Sequence, residues 1–163
     1  MPNVKSVLVQ SAPRTSLGNT PFSGPESLKA RSNATGELIL IRGLPGSGKS
    51  TIAKDLALVG FEHFEADMFF VVNGQYRYEG TRIRDAHSWC QKMTRQALAT
   101  GKKVVVSNTF TQLREMEPYL SLTGSVRVVE AQGKWQNTHG VPIEMLERMA
   151  QRWELLPEEL LAA

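Results

Sequence analysis

From residue 37 onward, short apolar runs alternate with longer stretches of helical periodicity. Residues 37–42 are apolar at four successive positions, Leu38 to Ile41, and run into a glycine-rich turn, which reads as a strand buried on both faces. Residues 51–58 after that turn read as a helix. Residues 61–66 form a short second strand leading to Asp67. Asn73-Gly74, between Val71-Val72 and Tyr76-Arg77-Tyr78, is a tight hairpin turn. Residues 82–100 bring Ile83, Ala86, Trp89, Cys90, Met93 and Ala97 to one helical face, with Gly101 as the stop. Residues 103–107 repeat the buried-strand pattern. A short helix over residues 112–120 and a fourth strand over 125–130 follow. Residues 133–140 are polar and irregular. A last helix over 143–155 sets Ile143, Leu146, Met149, Ala150 and Trp153 on one side, and Pro157 ends it. Alternating strands and helices with apolar strands predict an α/β protein of three layers, a mainly parallel sheet with helices on both faces. Ligands of such sheets bind beyond the carboxyl ends of the strands, where Asp67 and Asn108 fall.

The turn after the first strand carries the chemistry. Gly43-Leu44-Pro45-Gly46-Ser47-Gly48-Lys49-Ser50 fits G-x-x-x-x-G-K-[ST], the phosphate-binding loop of the P-loop NTPase fold, and has a strand before it and a helix after it. Glycines at 43, 46 and 48 let the backbone turn through positive φ and approach a ligand with no Cβ in the way. The amides of Pro45's neighbours through Thr51, backed by the helix N-terminus, then form an anion cradle. Lys49 reaches the β/γ-phosphates and the Ser50 hydroxyl ligates Mg²⁺. The expected ligand is a nucleoside triphosphate.

Other residues have two readings each. Asp67 can accept or orient the proton of an attacking hydroxyl, as phosphoryl transfer to an alcohol requires, or it is a surface or helix-capping aspartate. Ser107-Asn108-Thr109 ends the strand beside the first one, where an aspartate often helps to hold Mg²⁺; Asn108 can bond only a metal-bound water or a phosphate, or else cap the next helix. Lys134, Arg148 and Arg152 are candidate charges over the phosphates, or solvated cations. Arg42, at the strand end, leans into solvent near the loop. His139 is a candidate nucleotide contact in an irregular segment that could close as a lid. Tyr76, Tyr78 and Trp135 could stack on a base or simply pack. The three histidines lack metal-ligand spacing, which argues against a zinc site.

Composition narrows the class. With 163 residues, 41% apolar and 21% charged, the chain suits one globular domain without staples. No apolar run approaches a bilayer span, so no membrane is expected. The single Cys90 allows no internal disulfide and fits a reducing, cytoplasmic setting; on an apolar helical face it reads as core. The net charge of +3 resides in residues 1–36, where four cations face Glu26 alone; residues 37–163 hold fifteen of each sign. Residues 1–36, rich in Ser, Pro, Gly, Asn and Thr, read as a flexible basic tail with one apolar cluster at Val4 to Val9 that could form a transient strand. Residues 37–163 are the expected domain. A partner of the basic tail would make the protein an adaptor.

Together these residues resemble the polynucleotide 5′-kinase branch of P-loop kinases. They look closest to small phage and bacterial ATP-binding proteins and to the kinase-like domain of NEDD-type ubiquitin-ligase-binding proteins. The matching pieces are LILIRGLPGSGKSTIAKDL (38–56), FEADMFF (64–70), AHSWCQKMTRQAL (86–98), VVVSNTFTQLREMEPY (104–119) and HGVPIEMLERM (139–149). The resemblance implies ATP as nucleotide, Lys49 and Ser50 holding ATP and Mg²⁺, and Asp67 as the base facing the acceptor hydroxyl. It also implies a host-cytoplasmic location if the chain is phage-encoded. Three departures stand out: Phe70 where such kinases carry a basic residue, Ser107-Asn108-Thr109-Phe110 in place of a carboxylate-containing pattern, and Gln136 where a lid arginine is expected. The expectation is a kinase moving the ATP γ-phosphate to a hydroxyl of a nucleic-acid 5′ end, a nucleoside or another small acceptor. The alternative is a nucleotide-gated binding module or weak ATPase.

Overall fold

The computed structural model describes residues 4–10, 36–134 and 140–161. Its main sheet has five strands, β1 (Val4–Gln10), β2 (Glu37–Arg42), β3 (Glu62–Phe64), β6 (Val104–Asn108) and β7 (Ser125–Ala131), in the order β1-β7-β2-β6-β3. β2 pairs in parallel with β6 and β7, and β3 in parallel with β6. β1 alone runs antiparallel, with Val7 opposite Val128. That strand comes from the stretch read as a flexible tail: Val4 to Val9 add an edge to the sheet by pairing with β7. Residues 11–35 lie outside the described residues.

The central strands β2 and β6 are buried from Leu38 to Arg42 and along all of β6, as their unbroken apolar runs predict. One core layer joins Leu38, Leu40, Val104 and Val106 to Ala86, Cys90 and Leu98 of α2 (Ile83–Ala99). On the opposite face, Ile39, Ile41 and Val105 pack on Ala53 of α1 (Lys49–Leu58). The alternation of β2 side chains thus feeds two helix layers at once, which makes the three-layer α/β architecture.

The hairpin forms as its turn signal requires. β4 (Val71–Val72) and β5 (Gln75–Tyr76) pair antiparallel across Asn73 (φ 51) and Gly74 (φ 77), successive positive φ values of the kind such tight turns need.

Three elements differ from the sequence expectation. The second strand stops at Phe64, and a 3₁₀ turn over Ala66–Phe70 carries Asp67. The helix expected over 112–120 splits into a 3₁₀ turn at Leu113–Glu115 and α3 (Glu117–Leu120), because Pro118 has no N–H to continue a ladder. The last helix, α4 (Ile143–Gln151), ends four residues early and has no fully buried residue. The chain beyond it is taken by other partners: Glu154 N donates to Thr111 O at 2.8 Å, and Arg42 Nη2 donates to Glu154 O at 2.9 Å. Pro157 then precedes α5 (Glu158–Leu161) instead of terminating a helix.

Arg42 does not lean into solvent. It is wholly buried at the end of β2, where its Nε donates to Phe110 O (3.1 Å) and its Nη2 to Thr111 O (3.3 Å) as well as to Glu154 O. Glu130 Oε2 stands 3.7 Å from Nη1, and the guanidinium lies 3.9 Å over the Trp153 ring. Phe110 is held at φ 45, a value bulky L residues rarely adopt.

Candidate functional site

The carboxyl ends of β2, β3 and β6 open on one cavity of about 410 Å³. Gly43 closes β2 with no room for a side chain: a Cβ there would lie 2.2 Å from Ser47 Oγ and 3.0 Å from Ala131 O. Gly46 (φ 81) and Gly48 (φ 91) supply the left-handed steps that curl the loop, and Gly48 is the N-cap of α1. Ser47 N donates to Leu44 O at 3.0 Å, and Ser47 O accepts from Gly133 N at 3.0 Å. The loop is therefore closed on itself and tied to the segment leaving β7. A glycine-lined loop at the N-terminus of a ten-residue helix presents amides and a positive dipole end to an anion.

Lys49 Nζ donates to Leu44 O at 3.2 Å. Burial pushes its ammonium below the usual lysine range, while the charges of Glu65 and Asp67 pull it back up. The Ser50 hydroxyl donates to Glu65 Oε1 at 2.9 Å, and His63 Nε2 lies 3.0 Å from the same oxygen. Burial alone would raise the Glu65 carboxyl, but hydrogen bonding and charge from His63, with the Ser50 hydroxyl, hold it below the ordinary range. Glu65 is a site carboxylate that sequence reasoning missed. Its only signal was a position two residues before Asp67 at the mouth-facing end of a strand.

The expected residues are partly assembled. Pro45, Lys49, Ser50, Asp67 and Asn108 all line the cavity. Gly43, Gly46, Ser47 and Gly48 build the loop beneath it. Asn108 is committed to the fold: its Oδ1 accepts from Ala66 N at 2.9 Å, and its Nδ2 points at Cys90 Sγ, 3.8 Å away. It thereby fixes the start of the 3₁₀ turn that carries Asp67. Thr51 is exposed on α1 and Arg148 is exposed on α4, and neither lines the cavity; α4 turns Met145 and Met149 to it instead. His139, Trp135 and Gln136 lie outside the described residues.

Among the described residues no cluster of three or more His, Cys, Asp or Glu could hold a metal ion by itself. Ser50 and Glu65 offer hard oxygen donors, which suit a magnesium ion that shares its shell with phosphates and waters. Lys49 and the loop amides suit the phosphates. The residues present therefore fit a magnesium–nucleotide complex. No described helix is long and apolar enough to cross a membrane.

Comparison with known proteins agrees with this geometry. A relative in Homo sapiens, NEDD4-binding protein 2, is 32% identical over 133 residues, which cover 72% of this chain and 8% of that protein. Uncharacterized protein PM0531 of Pasteurella multocida (strain Pm70) is 29% identical over 132 residues, covering 69% of this chain and 73% of that one. Among solved structures, a gluconokinase from Sinorhizobium meliloti 1021 superposes with a TM-score of 0.52 at 20% identity, over 74% of this chain and 76% of its own. A chain of the Pnkp1/Rnl/Hen1 complex does so with a TM-score of 0.52 at 17% identity, over 74% of this chain and 40% of that one. At those identities the likeness is one of fold. The model of the AAA_33 family, described as an AAA domain, matches residues 38–152 from β2 through α4. The chain belongs to that family and has a P-loop kinase-like fold.

Proposed function

We propose that this protein is an ATP- and Mg²⁺-dependent phosphotransferase of the polynucleotide 5′-kinase-like branch, acting on a hydroxyl acceptor. One observation carries the reading: Asp67, the candidate base, lines the same cavity as Lys49 and Ser50 of the phosphate loop. A module that only binds nucleotide has no hydroxyl to activate, so it has no need of a second carboxylate, carried on the 3₁₀ turn after β3, in the cavity of the phosphate loop. Magnesium, when bound, shares and neutralises the charge of the β- and γ-phosphate oxygens. Lys49 leaves Leu44 O for the transferred group, adding a second positive charge where negative charge develops. Ser50 would hold the metal, and Glu65, which now accepts from the Ser50 hydroxyl, would be the carboxylate available to a metal-bound water. This gives the site the carboxylate that Asn108 cannot supply. Asp67 takes the proton of the attacking hydroxyl.

Asp67→Asn tests the assignment. It should bind ATP with unchanged affinity and lose about 10²–10⁴-fold in transfer rate, the ordinary contribution of a positioned base. Radiolabelled γ-phosphate transfer and titration calorimetry measure the two arms. Unchanged turnover in that variant would favour the module or weak-ATPase reading. Glu65→Gln should raise the Mg²⁺ concentration needed for half-maximal ATP binding, leaving metal-free nucleotide affinity as it was. Mn²⁺ titration followed by electron paramagnetic resonance reads that shift directly.

A further inference from the structure

One part of the cavity lining differs in chemistry from the phosphate loop. Tyr76 and Tyr78 from the hairpin arm, Ile83 from α2, and Val141, Met145 and Met149 from the α4 region form it. Lys49 is the single lysine or arginine on the cavity's described wall, and the phosphotransferase reading commits it to the nucleotide phosphates. The other charged groups on the wall are the carboxylates Glu65 and Asp67, with His87 as the one imidazole.

The two tyrosines are placed by the fold and yet left uncovered. Both surround the buried Phe70 ring, with centroids 6.3 Å (Tyr76) and 5.1 Å (Tyr78) away, and the arm is pinned where Arg77 N donates to Phe70 O at 2.8 Å. Even so, Tyr76 stays 55% exposed and Tyr78 58% exposed. Burial and the charge of Asp67 hold the Tyr76 phenol above its ordinary value, which sets that ring within electrostatic reach of the candidate base. Tyr76 also lines a smaller cleft with Asp67, Met68 and Val71. The stacking surface thus belongs to the hydroxyl-activating side of the cavity.

We propose that the acceptor is an uncharged alcohol carrying a flat aromatic group, as nucleosides do, and neither a polynucleotide end nor an anionic sugar acid. The inference rests on the phosphotransferase reading of the same site. An aromatic face left uncovered offers a stacking platform to any base, because every base has a π-face. The flexible thioethers of Met145 and Met149 adapt to the body of the ligand. A phosphate or carboxylate beside the reacting hydroxyl would meet Asp67 and Glu65 with no free cation on the described wall to offset them. In the reaction, the acceptor oxygen forms a bond to the γ-phosphorus. The bond from that phosphorus to the β–γ bridging oxygen breaks, its electron pair leaving on ADP. The hydroxyl proton passes to the Asp67 carboxylate.

The test uses the full chain with Mg²⁺ and labelled ATP against three classes of acceptor: the nucleosides adenosine and uridine, a 5′-hydroxyl hexanucleotide, and gluconate. The expected result is a kcat/KM for nucleosides at least tenfold above the other two. Tyr76→Ala and Tyr78→Ala should each raise the nucleoside KM about tenfold, with Tyr78→Phe close to the parent and ATP affinity unchanged in all three. Nucleosides neither bound nor phosphorylated, a preference for the hexanucleotide or gluconate, or tyrosine variants that weaken ATP instead would overturn the inference. Asp67-dependent transfer to another acceptor would leave the phosphotransferase reading standing. ATP turnover indifferent to Asp67→Asn, with no acceptor labelled, would remove both.

Discussion

Lys49→Ala should abolish the proposed γ-phosphate transfer while leaving the protein folded, a loss of at least about 10²–10³-fold in kcat. The ammonium is partly withdrawn from water, and among the described residues it donates to Leu44 O within its own loop. Among the described residues it makes no salt bridge, so thermal unfolding should shift little. A desolvated cation aimed at developing negative charge stabilises a transition state far more than the same charge in water. Lys49→Arg should not rescue the rate, since a planar fork replaces a compact ammonium in a loop closed by Gly43 and Ser47. Single-turnover transfer and calorimetric unfolding of the same preparation measure both arms. Parental turnover in Lys49→Ala would remove the phosphotransfer mechanism.

Arg42→Met destabilises the fold by about 3–5 kcal/mol, the cost of removing one partner from a buried charged network. Methionine roughly keeps the aliphatic volume but strands three carbonyls, those of Phe110, Thr111 and Glu154, and leaves Glu130 without its neighbouring cation. Trp153 loses the guanidinium beneath its ring. Burial lowers the Arg42 pKa while Glu130, Glu115 and Glu154 raise it, so the carboxylates around the group offset part of its desolvation. Phe110, held at positive φ, has reason to relax once its carbonyl is released. For a chain of this length the midpoint of thermal unfolding should fall by roughly 10 °C. A shift of a degree or two would show that water replaces the guanidinium at little cost.

The phosphate loop was legible because it is dictated by chemistry: three glycines, a lysine and a hydroxyl at set spacing have few other uses. The buried strands were legible because β2 and β6 are apolar without interruption, and the hairpin because Asn73-Gly74 tolerates positive φ. Arg42 was misread because a terminal arginine on a strand ordinarily reaches water, and its acceptors are backbone carbonyls, which leave no trace in side-chain identity. Glu65 was passed over because a carboxylate in a short, half-buried strand looks like a solvent-facing position. The stripe on α4 read as one apolar side, but in the fold its Met149 lines a cavity and its Ile143 stays exposed. Val4–Gln10 joins the sheet by backbone pairing with β7, and a polar, proline-containing stretch separates it from the domain in sequence.

The acceptors of the Arg42 guanidinium lie 68, 69 and 112 positions downstream. During synthesis the innermost strand of the sheet therefore emerges with a cation that nothing yet made can satisfy. β2 can pair with β6 and β7 as they arrive, but its carboxyl end cannot dry out until Trp153 and Glu154 have left the ribosome. Completion of the nucleotide cradle, which begins one residue after Arg42, thus waits on almost the whole chain, and nascent fragments stopped short of Glu154 should retain a hydrated, unfinished loop.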